Sequence, residues 1–142
     1  MKKDNITILL LEDDEIDAEL VRRSIKSQGL KNPLVHAENG EIGLHCLRGT
    51  NGYEKITGSY IVMVDINMPV MNGLEFISAV REDPELKDAI LFVLTTSDDD
   101  NDIAAAYAAN VSGYFLKGDV GPHLVKCLDL YNSLVQFPPM AR

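Results

Sequence analysis

The sequence predicts an α/β fold, a five-stranded doubly wound parallel sheet in one domain. Short apolar runs alternate with amphipathic stretches along the whole chain. Four of the five runs are apolar without a break, as parallel strands covered by helices on both faces should be. The chain has 142 residues, 46% hydrophobic and 25% charged, enough to bury a core without disulfides or metals.

Ile6 to Leu11 is the first strand by its length and β-branched content. A helix follows from Asp14 to about Gln28, with Leu20, Val21, Ser24 and Ile25 along one side, and Gly29 stops it. Pro33 to Ala37 is a second, weaker strand. Asn39-Gly40 then turns into a short helix that carries Leu44 and Leu47 and ends near Gly49. The polar stretch from Asn51 to Ser59 reads as a loop, and Tyr60 to Val64 as the third strand. A helix runs from Asn72 to about Glu82, where Asp83-Pro84 closes it. Ala89 to Leu94 is the fourth strand, and an alanine-rich helix spans about Asp100 to Asn110. Gly113 to Leu116 is the last strand, and Gly121-Pro122 opens a final helix to about Val135. Right-handed crossovers give a flavodoxin-like strand order, 2-1-3-4-5, with any site at the strands' carboxyl ends. The core then covers about 6–135 of a single domain, 1–142, with a tail at 136–142.

Charge narrows the function. Thirteen Lys and Arg against 22 Asp and Glu leave −9, which offers no cationic face to nucleic acid or an anionic membrane. No apolar run approaches a membrane span, and the start, MKKDNITILLLEDD, is no signal peptide. Cys46 and Cys127 lie far apart within helical patterns and read as thiols in a reducing cytoplasm.

The chemistry sits where the strands end. The first strand ends in Glu12-Asp13-Asp14, the third in Asp65, the fourth in Thr95-Thr96-Ser97 and the fifth in Lys117. In the expected order the first and third strands are neighbours, so their acids share one crevice. Asp14, with Asp17 three residues on, suits the cap of the following helix. Capping does not account for Asp13 together with Asp65. Clustered carboxylates repel unless a cation joins them or protons are taken up. All-oxygen donors favour a hard ion, and Mg²⁺ fits best. A carboxylate beside Mg²⁺ is a nucleophile for a phosphoryl group, and Thr95 and Lys117 are donors of the kind that group needs. Taken alone, Lys117 reads equally well as a solvated surface lysine.

These residues resemble the receiver domain of bacterial two-component response regulators. The resemblance rests on LLLEDD at Leu9 to Asp14, VDINMPVMNG at Val64 to Gly73, LTTS at Leu94 to Ser97 and GYFLK at Gly113 to Lys117, and covers nearly the whole chain. It implies that Asp65 is the phosphoacceptor. It makes Glu12 and Asp13 the acidic pair for Mg²⁺, Asp13 as a direct ligand and Glu12 through water, with the backbone carbonyl of Asn67 as a further ligand. Thr95 becomes the switch hydroxyl and Lys117 the phosphate-binding lysine. Tyr114 becomes the aromatic whose rotamer follows Thr95, where the residues alone give a half-buried strand tyrosine. The implied partner is a sensor histidine kinase or a histidine phosphotransfer protein, and the implied output a switched protein-binding face, without nucleic acid or membrane. The switch is expected to reach Ile103 to Ala109, a stretch with few large apolar anchors.

The chain departs from the family pattern at Gly118, where the family usually has proline, and in the longer loop at Asn51 to Ser59. Those departures, LTTS and the tail Phe137-Pro138-Pro139 resemble the stand-alone regulators paired with phytochrome-type histidine kinases. Two other readings fall behind. A dehalogenase-like phosphatase needs a second acid at Asn67, and a flavin site needs a small-residue phosphate loop where Glu12-Asp13-Asp14 stands. On the final helix, Leu124, Leu128, Tyr131 and Val135 form one stripe, and Leu130, Leu134 and Phe137 widen it. The surplus points to a homodimer through that helix.

Overall fold

The computed structural model describes residues 5–95, Ala104, Ala108 and 110–136, with side chains as far as Leu130. Of the helix expected from Asp100 to Asn110, Ala104 and Ala108 are helical. The rest of that stretch, the tail from Phe137, and the side chains of Tyr131, Leu134 and Val135 lie outside the described residues, as do Thr96 and Ser97.

The elements are β1 (Thr7–Leu11), α1 (Glu15–Ser27), β2 (Leu34–Ala37), α2 (Gly40–Arg48), β3 (Tyr60–Asp65), α3 (Gly73–Glu82), β4 (Ile90–Thr95), β5 (Gly113–Leu116), a 3₁₀ turn (Lys117–Asp119) and α4 (Val120–Gln136). The strands form one parallel sheet in the order β2-β1-β3-β4-β5, as expected. Alternate residues of each strand face opposite layers. Leu9, Leu11, Val62, Val64, Leu91 and Val93 pack under α2 and α3. Ile8, Leu10, Ile61, Met63, Phe92 and Leu94 pack under α1 and α4. Both layers are built of buried apolar side chains, which fixes the register and with it the side chains beyond each strand's last residue.

Caps set the helix starts. Asp14 accepts from the amides of Ile16 (2.8 Å) and Asp17 (3.1 Å). Asn72 and Glu75 form a reciprocal capping box at α3. Leu20 is a correction to the reading of α1: it is half exposed, and the buried stripe is Ala18, Val21 and Ile25. Steps of three and four residues from Ala18 pass Leu20 by, so the helix is rotated from the expected face. Helix α1 lies against α4, where Val120, Leu124 and Leu128 are fully buried. Gly121 permits that contact, because a Cβ there would collide with the Ser24 carbonyl oxygen. Its amide donates to Ser24 Oγ at 2.7 Å. Leu130 is 63% exposed on the opposite side of α4. Both cysteines are free thiols, Cys46 buried and Cys127 half-buried, and no helix among the described residues is long and apolar enough to cross a membrane.

Candidate functional site

Among the described residues the buried polar or charged side chains are Glu12, Asp65, Thr95 and Lys117. Each stands at or just beyond the carboxyl end of a different strand. Leu11 pairs with Ala37 on one side and Val64 on the other, so Glu12 and Asp13 emerge directly beside Asp65. Thr95 closes β4 opposite Leu116, and Lys117 follows at once. In-register strands therefore bring together four side chains from across the sequence.

Glu12 is fully buried and tied down at three points. Its amide donates to the Ala37 carbonyl at 3.0 Å, and its Oε2 accepts from the Asp14 amide at 3.2 Å. Its carbonyl accepts from His36 Nε2–H at 2.7 Å, which fixes the imidazole tautomer. Asp65 Oδ1 accepts from the Asn67 amide at 3.2 Å. Behind Asp65 the chain turns back so tightly that a Cβ on Gly73 would strike the Asp65 carbonyl oxygen. The Gly73 amide donates instead to the Ile66 carbonyl at 2.9 Å. Between them the Met71 amide donates to the Pro69 carbonyl at 2.7 Å across Val70, whose φ is 66°. That is the rarer γ-turn form, strained for a β-branched residue, and it sits in the loop that carries Asp65.

Lys117 is the cation of the crevice. Its Nζ lies 2.7 Å from Glu12 Oε1, 2.9 Å from Asp17 Oδ2 and 3.4 Å from Asp65 Oδ2. Burial opposes its charge, but Glu12, Asp17 and Asp65 outweigh that and raise its pKa above the ordinary lysine value. The Glu12 carboxyl is pushed up to about 7, first by burial and then by the Asp65 charge, with Lys117 pulling the other way. Glu12, Asp13 and Asp65 each offer an oxygen within 4.8 Å of the others. Three hard oxygen donors at that spacing fit a divalent ion that favours carboxylates and water.

The structure thus brings Glu12, Asp13, Asp65, Thr95 and Lys117 to one end of the sheet. Asn67 is exposed beside Asp65, and its described contact is through its amide. Tyr114 stands on β5 opposite Val93, 36% exposed, away from the layer in which Phe115 stacks on Phe92. Asp14 caps α1, the simpler of its two readings. Two contacts were not legible in the sequence: Asp17, anticipated only as a partner in capping, and His36. Asp17 joins Lys117 across a separation of 100 residues, and no local spacing announces it.

A family model described as the response regulator receiver domain matches residues 8–129. Response regulator Rcp1 of Synechocystis sp. is 30% identical over 110 residues, 78% of this chain and 75% of Rcp1. The solved structure of the bacteriophytochrome response regulator AtBRR superposes with a TM-score of 0.78 at 26% identity, covering 97% of this chain and 98% of that one. The Mn²⁺-bound form of Rcp1 superposes with a TM-score of 0.70 at 26% identity, covering 96% and 99% of the two chains.

Proposed function

The chain belongs to the response regulator receiver family of two-component signalling, and from that premise we propose that it accepts a phosphoryl group on Asp65. The observation that carries this is the burial of Asp65 between Glu12, Thr95 and Lys117, three polar groups withdrawn from water at the ends of neighbouring strands. Burial of charge is costly unless the charges serve one another.

The donor is a phosphohistidine of a sensor histidine kinase or of a histidine phosphotransfer protein. An Asp65 oxygen forms a bond to phosphorus while the bond from phosphorus to the imidazole nitrogen breaks. The electron pair of that bond leaves with the imidazole, which takes up a proton. Lys117 donates to the transferred group's oxygens and Thr95 offers its hydroxyl, so charge moving onto the phosphoryl oxygens meets fixed donors. Glu12, Asp13, Asp65 and the Asn67 carbonyl would hold Mg²⁺, which supplies charge neutralisation between carboxylate and phosphoryl oxygens. The Mn²⁺-bound Rcp1 structure supports a divalent ion in a receiver of this kind. Modification of Asp65 would shift a pre-existing equilibrium of a protein-binding face, through Thr95 and Tyr114. The likeness to the bacteriophytochrome response regulator AtBRR supports placing this chain, read as one receiver domain, among regulators of that kind.

Incubation with an acyl phosphate and Mg²⁺, followed by intact-mass and peptide mass spectrometry, tests the reading. Uptake of one phosphoryl group on the peptide holding Asp65, lost in Asp65→Asn and on chelation, is the expected result. Label on another residue, or uptake unchanged in Asp65→Asn, refutes it.

A further inference from the structure

We propose that Asp17 is a positioning residue that sets where the Lys117 ammonium stands relative to the phosphoacceptor. The inference rests on the reading of Asp65 and Lys117 given above and deepens it. Nothing local fixes Lys117. It opens a 3₁₀ turn with no side-chain cap, and the next residue is Gly118, around which a Cβ would meet open space. The lysine stem has several rotatable bonds, so the amine needs an anchor from elsewhere.

That anchor comes from α1. Asp17 Oδ2 accepts from Nζ at 2.9 Å, and about two turns further along the same helix Ser24 Oγ accepts from the Gly121 amide at 2.7 Å. The turn carrying Lys117 is thus tied to α1 at its first residue, and the start of α4 that follows it is tied to α1 through Gly121. An ammonium has three hydrogens, and here three carboxylates surround it. Glu12 and Asp17 are the near ones, and Asp65 is the far one at 3.4 Å. Asp17 belongs to neither the buried acids nor the trio that could hold a metal. Among the described residues its carboxylate meets Lys117, so its work on the site passes through that amine. Held between Glu12 and Asp17, the amine reaches Asp65 Oδ2 only at the long end of hydrogen-bonding range, 3.4 Å, and leaves that carboxylate the least engaged of the three. Without Asp17 the amine settles between Glu12 and Asp65, where it covers the nucleophile and opposes a cation among the same carboxylates.

Asp17→Ala, Asp17→Asn, Lys117→Ala and the Asp17→Ala/Lys117→Ala pair test this, with folding checked by circular dichroism. Asp17 is partly exposed, so both substitutions are tolerable to the fold. At saturating Mg²⁺ and varied acyl phosphate, Asp17→Ala should lower the maximal rate of Asp65 labelling by about tenfold with little change in the half-saturating donor concentration. Asp17→Asn keeps an oxygen acceptor and should stay within about threefold of wild type. In the Lys117→Ala background, removing Asp17 should have no further effect. Two readouts do not depend on phosphate transfer: the Lys117 ammonium resonance of the metal-free protein should shift in Asp17→Ala, and Mg²⁺ affinity measured by calorimetry should fall. An unchanged Lys117 resonance and rate in Asp17→Ala, an Asp17→Asn as impaired as Asp17→Ala, or an equal loss in the Lys117→Ala background overturns the proposal. If wild type takes no label at Asp65, the phosphoacceptor reading fails, and the resonance still decides whether Asp17 places the lysine.

Discussion

Lys117→Met removes the charge that makes the crevice tolerable while keeping most of the buried stem, and its effect on stability should depend on pH in a defined direction. Glu12 is fully buried and its nearest cation is the Lys117 amine at 2.7 Å. Breaking a buried pair by deleting one partner costs about 3–5 kcal/mol, because the other charge is left uncompensated. Glu12 limits that loss by taking up a proton. Its folded pKa is already about 7 with Lys117 present, against an ordinary carboxyl value of 4.5 when unfolded. A carboxyl whose pKa is raised on folding contributes stability that is fully present below the unfolded value and lost as pH rises through the folded one. Without Lys117 the folded value moves higher still, and the falling limb extends to higher pH. In chelator, Lys117→Met should therefore lose more relative to wild type at pH 8 than at pH 5.5, where Glu12 is protonated in both proteins, and the two losses should differ by about 1 kcal/mol, the ceiling set by a wild-type Glu12 value of about 7. Urea unfolding followed by circular dichroism at the two pH values measures this. An equal loss at both would show that the lysine stem matters and the Glu12 charge does not.

Asp13→Ala should abolish Mg²⁺ binding in calorimetry and leave the metal-free protein no less stable in low salt, since it removes one of three like charges within 4.8 Å; unchanged affinity would take Asp13 out of the metal set. Mg²⁺ affinity of the wild type should rise between pH 5.5 and 7.5, because Glu12 gives up its proton over that window; a flat profile would mean that Glu12 plays no part in holding the ion. Gly73→Ala puts a methyl against the Asp65 carbonyl and 2.7 Å from Ile66 Cα, both backbone atoms that cannot swing aside. It should cost about 1–3 kcal/mol in urea unfolding and slow Asp65 labelling as the loop is displaced; wild-type values of both would show that the β3–α3 turn is soft.

What could be read in the sequence was what a single strand or helix states by itself. Ile61 to Val64 and Leu91 to Leu94 are continuous apolar runs, and both became central strands with both faces covered. Asn72 announced a helix start, and the structure adds a reciprocal capping box with Glu75. The convergence of Glu12, Asp65, Thr95 and Lys117 followed from one further assumption, that parallel strands ending together deliver their next residues to one place. Leu20 failed because a fifteen-residue window containing both Leu20 and Val21 does not reveal which of two adjacent positions the helix rotates inward. That choice belongs to α4, whose Val120, Leu124 and Leu128 receive Ala18, Val21 and Ile25.

The same contact explains why Asp17 was invisible as anything but a capping partner. The rotation of α1 that exposes Leu20 aims Asp17, one residue short of Ala18, toward the end of β5, and Gly121 lets α4 come close enough to α1 for Lys117 to be met there. A packing decision in the hydrophobic layer beneath α1 and α4 thus sets a distance in the polar crevice above it. Side-chain identity fixed which groups are available, namely three carboxylates, a hydroxyl and an amine. Helix rotation added Asp17, at 2.9 Å, to Glu12, at 2.7 Å, as a near partner of the amine. Bulk added at Gly121 should consequently disturb Lys117 without touching any residue of the crevice, because the collision it creates is with the Ser24 carbonyl of the helix that also carries Asp17.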